Sequence, residues 1–219
     1  PFRVAGGPAG VVDADHRVFI RRRGVRSVEQ FDEMVSRIMA VLPGREHVLY
    51  IDNPSPSFED GLAMFHNADL IVAPHGAGES NFLGSRTGTK LFELKASDWV
   101  PGNCFQIAAW YCGIHFWGLA PKSNHREGTF HIAAPEMDEI RYRYAETFFN
   151  ESDWRGAISE FNKVINNHPS SPWKCWSFYR QGEAFEKMGQ AEGAKAFYKG
   201  ATEGTCKSSD AAKEGKKKL

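Results

Sequence analysis

Residues 67–81 read Asn-Ala-Asp-Leu-Ile-Val-Ala-Pro-His-Gly-Ala-Gly-Glu-Ser-Asn, and this stretch decides the fold. Its apolar run at residues 70–73 has no alternating polar positions, which is typical of a short strand buried on both faces of a parallel sheet. Pro74 cannot donate a ladder hydrogen bond, so strand pairing must stop there. The stretch therefore predicts a buried central strand that ends at His75.

A glycine-rich turn follows the predicted strand. Gly76 and Gly78 permit a sharp turn and close backbone approach, and Glu79, Ser80 and Asn81 favour the first turn of a helix. Open parallel sheets place ligands at the carboxyl ends of their strands, where unpaired N–H groups suit a phosphate. The sequence therefore predicts a phosphate-binding turn, and the alternative is a tight turn with a purely structural role.

Three ionisable side chains belong to this region or to a neighbouring strand. His75 can donate to a phosphate oxygen or take a proton near neutral pH, and the alternative is a histidine that caps a loop. Glu79 would repel a diphosphate unless its carboxylate points away. Glu93 lies inside another apolar run, so its carboxylate must bind hydroxyls, find a partner or face solvent.

Length and composition bound the possible architecture. The 219 residues suffice for one α/β domain with a small appendage. The formal charge is zero, with 27 basic and 27 acidic residues, so any anion binding must be local and nucleic acid is not expected as a partner. The four cysteines lack Cys-x-x-Cys spacing, which argues against zinc and redox motifs and leaves their pairing open.

No apolar run approaches the ~20 residues of a membrane span. Because the chain begins at Pro1 and not at a methionine, we expect a fragment or a processed product. Its compartment stays open: the Golgi or endoplasmic reticulum lumen if the source is eukaryotic, the cytoplasm if it is bacterial.

Residues 1–16 are rich in glycine and proline and are predicted to be a linker or the remnant of a preceding domain. Asp13 and Asp15 form an Asp-x-Asp pair, which in some sugar transferases holds a divalent ion against a nucleotide diphosphate. Two aspartates alone make an incomplete metal site. We therefore interpret them as a polar turn and expect no metal.

Residues 18–20 form an apolar run that predicts a strand, and Arg-Arg-Arg-Gly-Val-Arg follows at residues 21–26. Four guanidiniums at a strand end form a concentrated positive site, and arginine is suited to bidentate phosphate contacts. The alternative is a solvated basic loop.

The remaining elements of this part alternate between strand and helix. Ser27 and Gln30 predict a capping box at the start of an amphipathic helix that extends to Leu42. Ser57 predicts the cap of a short helix that carries Phe58, Leu62 and Phe65 toward the core, and a further helix follows Asn103. Additional strands are predicted at residues 47–51, 90–94 and 114–119. This alternation is typical of an α/β fold with a Rossmann-like, doubly wound parallel sheet, which we assign to residues 17–133.

From residue 134 onward the sequence is helical. The aromatic, alanine and glycine positions of residues 134–205 predict two tetratricopeptide-like helical hairpins. Ala157 and Ala194 lie 37 positions apart, against a usual period of about 34, so the connecting loop carries an insertion. Such an all-α appendage offers a groove for a peptide or protein partner. Residues 206–219 are lysine-rich and are predicted to be a disordered basic tail.

With these residues in place, residues 18–119 resemble the catalytic region of the family 61 glycosyltransferases, the group that includes plant xylosyltransferases and animal O-linked N-acetylglucosaminyltransferases. The resemblance rests on an ordered set of motifs and not on any single piece. The motifs are, in order, Arg22, Arg23 and Arg26, Ser57-Phe58-Glu59, Ala68-Asp69, the Pro74-His75-Gly76-Ala77-Gly78 turn with Asn81, Gly88-Thr89, and Phe92-Glu93-Leu94.

The resemblance implies inverting transfer of a sugar from a nucleotide sugar, expected to be UDP-linked, to an acceptor hydroxyl of a protein glycan or polysaccharide. It also implies that this chain contains the carboxyl-terminal, donor-binding half of a two-domain GT-B scaffold. The departing diphosphate can be stabilised by N–H groups and guanidiniums without a metal or other cofactor. The residues implied are catalytic His75 and donor-binding Arg22, Arg23, Arg26, Gly76, Ala77, Gly78, Asn81 and Glu93, with Glu93 on ribose hydroxyls.

Two positions depart from the family pattern. Glu29 stands where the family usually shows asparagine, and Glu79 stands where it favours an aliphatic residue. Both substitutions add negative charge near the implied donor site. The alternative function is therefore a non-catalytic interaction protein that binds a partner through its tetratricopeptide-like hairpins.

Overall fold

The computed structural model describes residues 3–4, 16–40, 47–51, 57–97, 104–121, 124–125 and 127–219. The chain divides into two compact units, Pro1–Ile132 and Ala133–Leu219, which we call the sheet unit and the helical unit. Within the described residues, no helix combines the length and the apolar character that a membrane crossing requires.

The described part of the sheet unit contains six strands: β1 Arg3–Val4, β2 His16–Arg21, β3 His47–Ile51, β4 Ala68–Pro74, β5 Lys90–Leu94 and β6 His115–Leu119. They lie in the order β1-β3-β2-β4-β5-β6, and every neighbouring pair is parallel. The predicted α/β fold with a parallel sheet is therefore confirmed.

The predicted linker at residues 1–16 needs a correction. Arg3–Val4 pairs with β3 as an edge strand, and His16 already begins β2. A two-residue strand is too short to leave a periodic pattern in the sequence. The other residues of this segment, including Asp13 and Asp15, lie outside the described residues.

The central strands are buried on both faces, as their uninterrupted apolar runs predict. One face packs with α2, α3 and the 3₁₀ helix that follows β4, in a cluster that includes Ile71, Phe65 and Phe82. The alternate positions Phe19 and Val72 are also fully buried. The helices of this unit are α1 Phe31–Ala40, α2 Phe58–His66, the 3₁₀ helix Ala77–Gly84 and α3 Cys104–Tyr111.

The first helix begins later than its capping-box pattern predicts. Val28 forms a parallel bridge with Phe130, and the Phe130 N–H donates to the carbonyl of Ser27 at 2.7 Å. This extended pairing buries a β-branched residue and delays the helix to Phe31. In α2, Ser57 caps the helix as predicted, but Phe58 is 69% exposed and does not enter the core.

The helical unit consists of five α-helices. Their bounds are α4 Ala134–Asn150, α5 Trp154–Asn167, α6 Pro172–Lys187, α7 Ala191–Thr202 and α8 Asp210–Lys216. The helices pack through small residues: Ala157 and Ala194 are buried, and a Cβ at Gly182 would lie 2.5 Å from the Tyr198 ring. The repeating alanine positions therefore mark close helix contacts.

The predicted disordered tail at residues 206–219 is wrong. A disulfide joins Cys206 to Cys175 on α6. Ser209 then caps α8, and Lys218 pairs with Glu186 on α6 at 2.9 Å. The buried face of α8 consists of small residues, Ala211, Ala212 and Gly215, which a scan for large apolar side chains misses.

Candidate active site

The loop after β2 turns two arginines toward one point. Gly24 and Arg26 adopt positive φ values of 75° and 62°. The Ser27 N–H donates to the Gly24 carbonyl at 3.1 Å, and the Arg26 N–H donates to the Gly128 carbonyl at 2.6 Å. Left-handed backbone at a non-glycine residue costs energy, so the surrounding hydrogen bonds hold Arg26 in this orientation.

Arg22 and Arg26 converge on the end of the adjacent strand. The Nη1 atoms of both guanidiniums donate to the carbonyl oxygen of His75 at 3.1 Å. A Cβ at Gly76 would lie 1.9 Å from Arg22 Nη1, so a side chain there would displace the guanidinium from its present position. Two cations therefore lie at the carboxyl ends of β2 and β4, beside the predicted phosphate-binding turn.

His75 is held from its other side by a buried carboxylate. Its Nδ1 atom is hydrogen-bonded to Glu93 Oε1, and Lys95 Nζ forms an ion pair with Glu93 Oε2 at 2.7 Å. Glu93 has no exposed surface, and the His75 ring contacts Phe105. The glutamate inside an apolar strand thus has partners on both oxygens. Because it is enclosed, the structure makes Glu93 a partner of His75, whereas the resemblance implied a ligand of ribose.

Glu79 points into the protein beside this pair. It is fully buried, and among the described residues no side chain hydrogen-bonds to either carboxyl oxygen. Burial and the charge of Glu93 raise the pKa of Glu79 well above its usual value, while Lys95 and the Gly76 amide oppose that shift. The raised pKa favours the neutral carboxyl, and a buried, neutral Glu79 would not repel a nearby anion as an exposed carboxylate would.

Sequence reasoning did not include Glu79 among the site residues. One nitrogen of His75 and one oxygen each of Glu79 and Glu93 lie within 4.8 Å of one another. The available signal was the acid at a position where the implied family favours an aliphatic residue. Glu79 lies four residues after His75, in the 3₁₀ helix that begins at Ala77.

Other implied site residues have different surroundings. Arg23 is exposed and is not one of the two arginines that contact the His75 carbonyl. The Asn81 amide donates to the Gly78 carbonyl at 3.2 Å, so these two residues shape the turn locally. Glu29 is exposed and forms an ion pair with His131 at 3.1 Å, which lowers the pKa of Glu29.

A surface cavity of about 690 Å³ lies between α3 and β6. Its lining includes Trp110, Tyr111 and Trp117, and it shares no residue with the His75 cluster. The candidate active site is therefore defined by the convergence of charged side chains at the sheet edge and not by this cavity.

Comparison with known protein families matches the order predicted from sequence. Residues 10–92 match the family described as Glycosyltransferase 61, and residues 139–171 and 176–203 match the Tetratricopeptide repeat. The two repeats start at residues 139 and 176, the same offset as Ala157 and Ala194. No curated protein matches the chain. The first match contains Arg22, Arg26, His75 and Glu79 and ends one residue before Glu93.

Proposed function

We propose that the sheet unit binds the nucleotide-sugar donor of a glycosyltransferase, which transfers the sugar with inversion to a hydroxyl of a protein glycan or polysaccharide. One observation carries the proposal. Arg22 and Arg26 converge on the His75 carbonyl at the carboxyl edge of a parallel sheet, within the segment that matches Glycosyltransferase 61. This edge is where open α/β sheets bind ligands.

The arginines suit the diphosphate of such a donor. A guanidinium has five N–H donors, so one hydrogen bond to a carbonyl orients the group without using all of its donors. Arg22 and Arg26 would bind phosphate oxygens, together with the backbone N–H groups of residues 76–78. Negative charge grows on the diphosphate as the glycosidic bond breaks, and fixed donors stabilise that charge with little reorganisation.

His75 is the proposed catalytic residue, and Glu93 positions it. In the imidazolium form both ring nitrogens donate, so Nε2 can hydrogen-bond a phosphate oxygen while Nδ1 remains on Glu93. The buried ion pair between Glu93 and Lys95 fixes the carboxylate and, through it, the ring. His75 would thus add a third donor to the two guanidiniums.

The sheet unit corresponds in this proposal to the donor half of a GT-B scaffold. The facing half would bind the acceptor and contribute the general base that inverting transfer requires. The chain alone is therefore expected to bind a nucleoside diphosphate weakly.

Calorimetric titration of the whole chain with uridine, guanosine and cytidine diphosphates, in the presence of a chelator, tests the proposal. We expect saturable binding of one nucleotide, weakened about 10- to 100-fold by His75→Ala or Arg26→Ala, since lost charged hydrogen bonds are worth roughly 1.5–3 kcal/mol. Arg155→Ala removes an exposed arginine of the helical unit and is the matched control. Folded protein that binds none of the nucleotides, or equal weakening by Arg155→Ala, contradicts the proposal.

A second candidate function is partner binding by the helical unit, and the observation that favours it is the pair of tetratricopeptide matches on α4–α7. Stacked repeats of this kind present a concave surface to a peptide. A peptide-library screen of the whole chain, with crosslinking to locate each ligand, tests this function. Peptides that crosslink to α4 or α6 would support it, and ligands confined to the sheet unit would argue against it.

A further inference from the structure

The sheet unit contains a buried cluster in which one carboxyl group has no side-chain partner among the described residues. Glu79 and Glu93 have no exposed surface. Lys95 pairs with Glu93, whereas no side chain of the described residues hydrogen-bonds to either oxygen of Glu79. An isolated buried carboxylate is unfavourable unless it takes up a proton or a cation. A proton on Glu79 lowers this cost, and so would a metal ion bound to its carboxylate.

The cluster also has the donor atoms that a transition metal requires. An imidazole nitrogen of His75 and a carboxylate oxygen from each of Glu79 and Glu93 lie within 4.8 Å of one another. Zinc bonds to histidine nitrogen and carboxylate oxygen measure about 2.0–2.2 Å, so ligand atoms on one ion lie roughly 3–3.5 Å apart. The hydrogen-bonded pair His75 Nδ1 and Glu93 Oε1 would therefore separate to admit the ion, and the Glu79 oxygen would take up the same spacing. Three protein ligands leave a fourth position for water or substrate, as in catalytic zinc sites.

We propose that His75, Glu79 and Glu93 form a binding site for a divalent transition-metal ion of the zinc class. The ion would take the place of the proton that His75 and Glu93 share, with Lys95 remaining on the second oxygen of Glu93. Binding would also release the proton of Glu79, because the ligands must be deprotonated. The sequence predicted no metal here, and its one signal, an acid where the implied family favours an aliphatic residue, did not identify Glu93 as a neighbour of Glu79.

The site has structural support and a route to solvent. His75 follows β4, Glu79 belongs to the 3₁₀ helix, and Glu93 lies on β5, so three different segments supply the ligands. His75 retains 7% of its surface exposed, which marks the side from which an ion would enter. Arg22 and Arg26 contact the His75 carbonyl oxygen, and a bound diphosphate would offset their charge.

Titration of the untagged, chelator-treated chain with Co²⁺, followed by visible absorption, tests the site, and Zn²⁺ competition measures affinity. We expect saturation at one equivalent and at least tenfold weaker binding in Glu79→Gln, which keeps the side-chain volume but removes the anion. His75→Gln removes the nitrogen ligand and must weaken binding as well. Glu59→Gln, an exposed carboxylate on α2, is the matched control and should bind like wild type.

A double variant, Asp13→Asn with Asp15→Asn, separates this site from the Asp-x-Asp pair and should leave binding unchanged. Zn²⁺ should also raise the Tm of the wild type and of Glu59→Gln, but not that of Glu79→Gln. Absence of one-equivalent binding overturns the proposal, and so does wild-type affinity in Glu79→Gln. No nucleotide is present, so either failure leaves the donor-binding proposal standing.

Discussion

Two buried glutamates, one in each unit, differ in their hydrogen bonding. In the helical unit, Glu146 accepts hydrogen bonds from Tyr142 at 3.0 Å, from Arg143 at 2.6 Å and from Arg180 at 2.9 Å. In the sheet unit, no side chain of the described residues hydrogen-bonds to Glu79, and two arginines contact a single backbone carbonyl. A network that satisfies itself supports structure, whereas convergent and incompletely satisfied groups indicate a ligand site.

The shifted pKa values of buried side chains show the same difference between the two units. Burial, with the charge of Glu146, raises the pKa of Tyr142 above its usual value, so the phenol stays protonated and remains a donor to Glu146. Burial likewise raises the pKa of Glu79, but no side chain of the described residues hydrogen-bonds to its carboxyl group. Tyr142 is held within a network of side chains, whereas the Glu79 carboxyl remains available to a ligand.

The largest expected effect is a loss of stability in the helical unit that leaves ligand binding in the sheet unit unchanged. Cys206→Ser removes a disulfide that spans 31 positions, and the chain-entropy model for such a loop gives a loss of about 3–4 kcal/mol in the free energy of unfolding. Urea denaturation checks this loss. Cys104→Ser, an exposed free thiol, should change nothing. If Cys206→Ser also abolishes nucleotide binding, the division between the two units fails.

The next largest effect concerns two neighbouring arginines of the sheet unit. Arg22→Ala removes a guanidinium that contacts the His75 carbonyl, whereas Arg23→Ala removes an exposed one. We expect the first to weaken nucleoside diphosphate binding about 10- to 100-fold, by the value of a charged hydrogen bond, and the second to change it less than about threefold. The family resemblance implied that all three arginines bind the donor, whereas the geometry indicates Arg22 and Arg26 only. Calorimetric titration of both variants with nucleoside diphosphate distinguishes these two expectations.

A smaller effect concerns backbone strain at the site. Arg26 has φ of 62°, so Arg26→Gly should be about 1 kcal/mol more stable to unfolding than Arg26→Ala, because glycine adopts the left-handed region without cost. The matched pair at Arg22, which is not among the positive-φ residues, should show the opposite order. The urea midpoints of the four variants measure these differences. If glycine is more stabilising than alanine at both positions, or at neither, the backbone at Arg26 is not strained.

The smallest effect is a pH dependence within the helical unit. Burial raises the pKa of Glu139, and the charge of Arg143 opposes that shift. A folded-state pKa above the unfolded value means that the contribution of Glu139 to stability is present below about pH 4.5 and is lost as the pH rises through the folded-state pKa. The free energy of unfolding of wild type relative to Glu139→Gln should therefore fall by a few tenths of a kcal/mol as the pH rises from 4 to 7. Denaturation at both pH values measures it, and a rise would contradict the sign.

The strands and the arginine-rich loop could be predicted from sequence because their signals are local. The apolar runs at residues 47–51 and 90–94 coincide with β3 and β5. The tetratricopeptide hairpins were likewise indicated by alanine and glycine positions that recur along α5 and α7. In each case the side chains that identify the element also form its contacts.

The remaining features depend on residues distant in sequence. Ser27 does not cap α1 because Phe130, about a hundred positions later, pairs with the same segment. The last residues are held to α6 by a disulfide between Cys206 and Cys175. The amino-acid composition alone could not identify Cys175 as the partner of Cys206. The inward turn of Glu79 depends on where β5 places Glu93. No periodic pattern encodes such contacts.

The contact between Gly76 and Arg22 has an evolutionary consequence. A methyl group at position 76 would occupy the volume of the Arg22 guanidinium, since the two would be 1.9 Å apart. A lineage that acquires a side chain at position 76 must therefore move the guanidinium away from the His75 carbonyl or replace the arginine. In either case the contact between Arg22 and the His75 carbonyl is expected to be lost in such a chain.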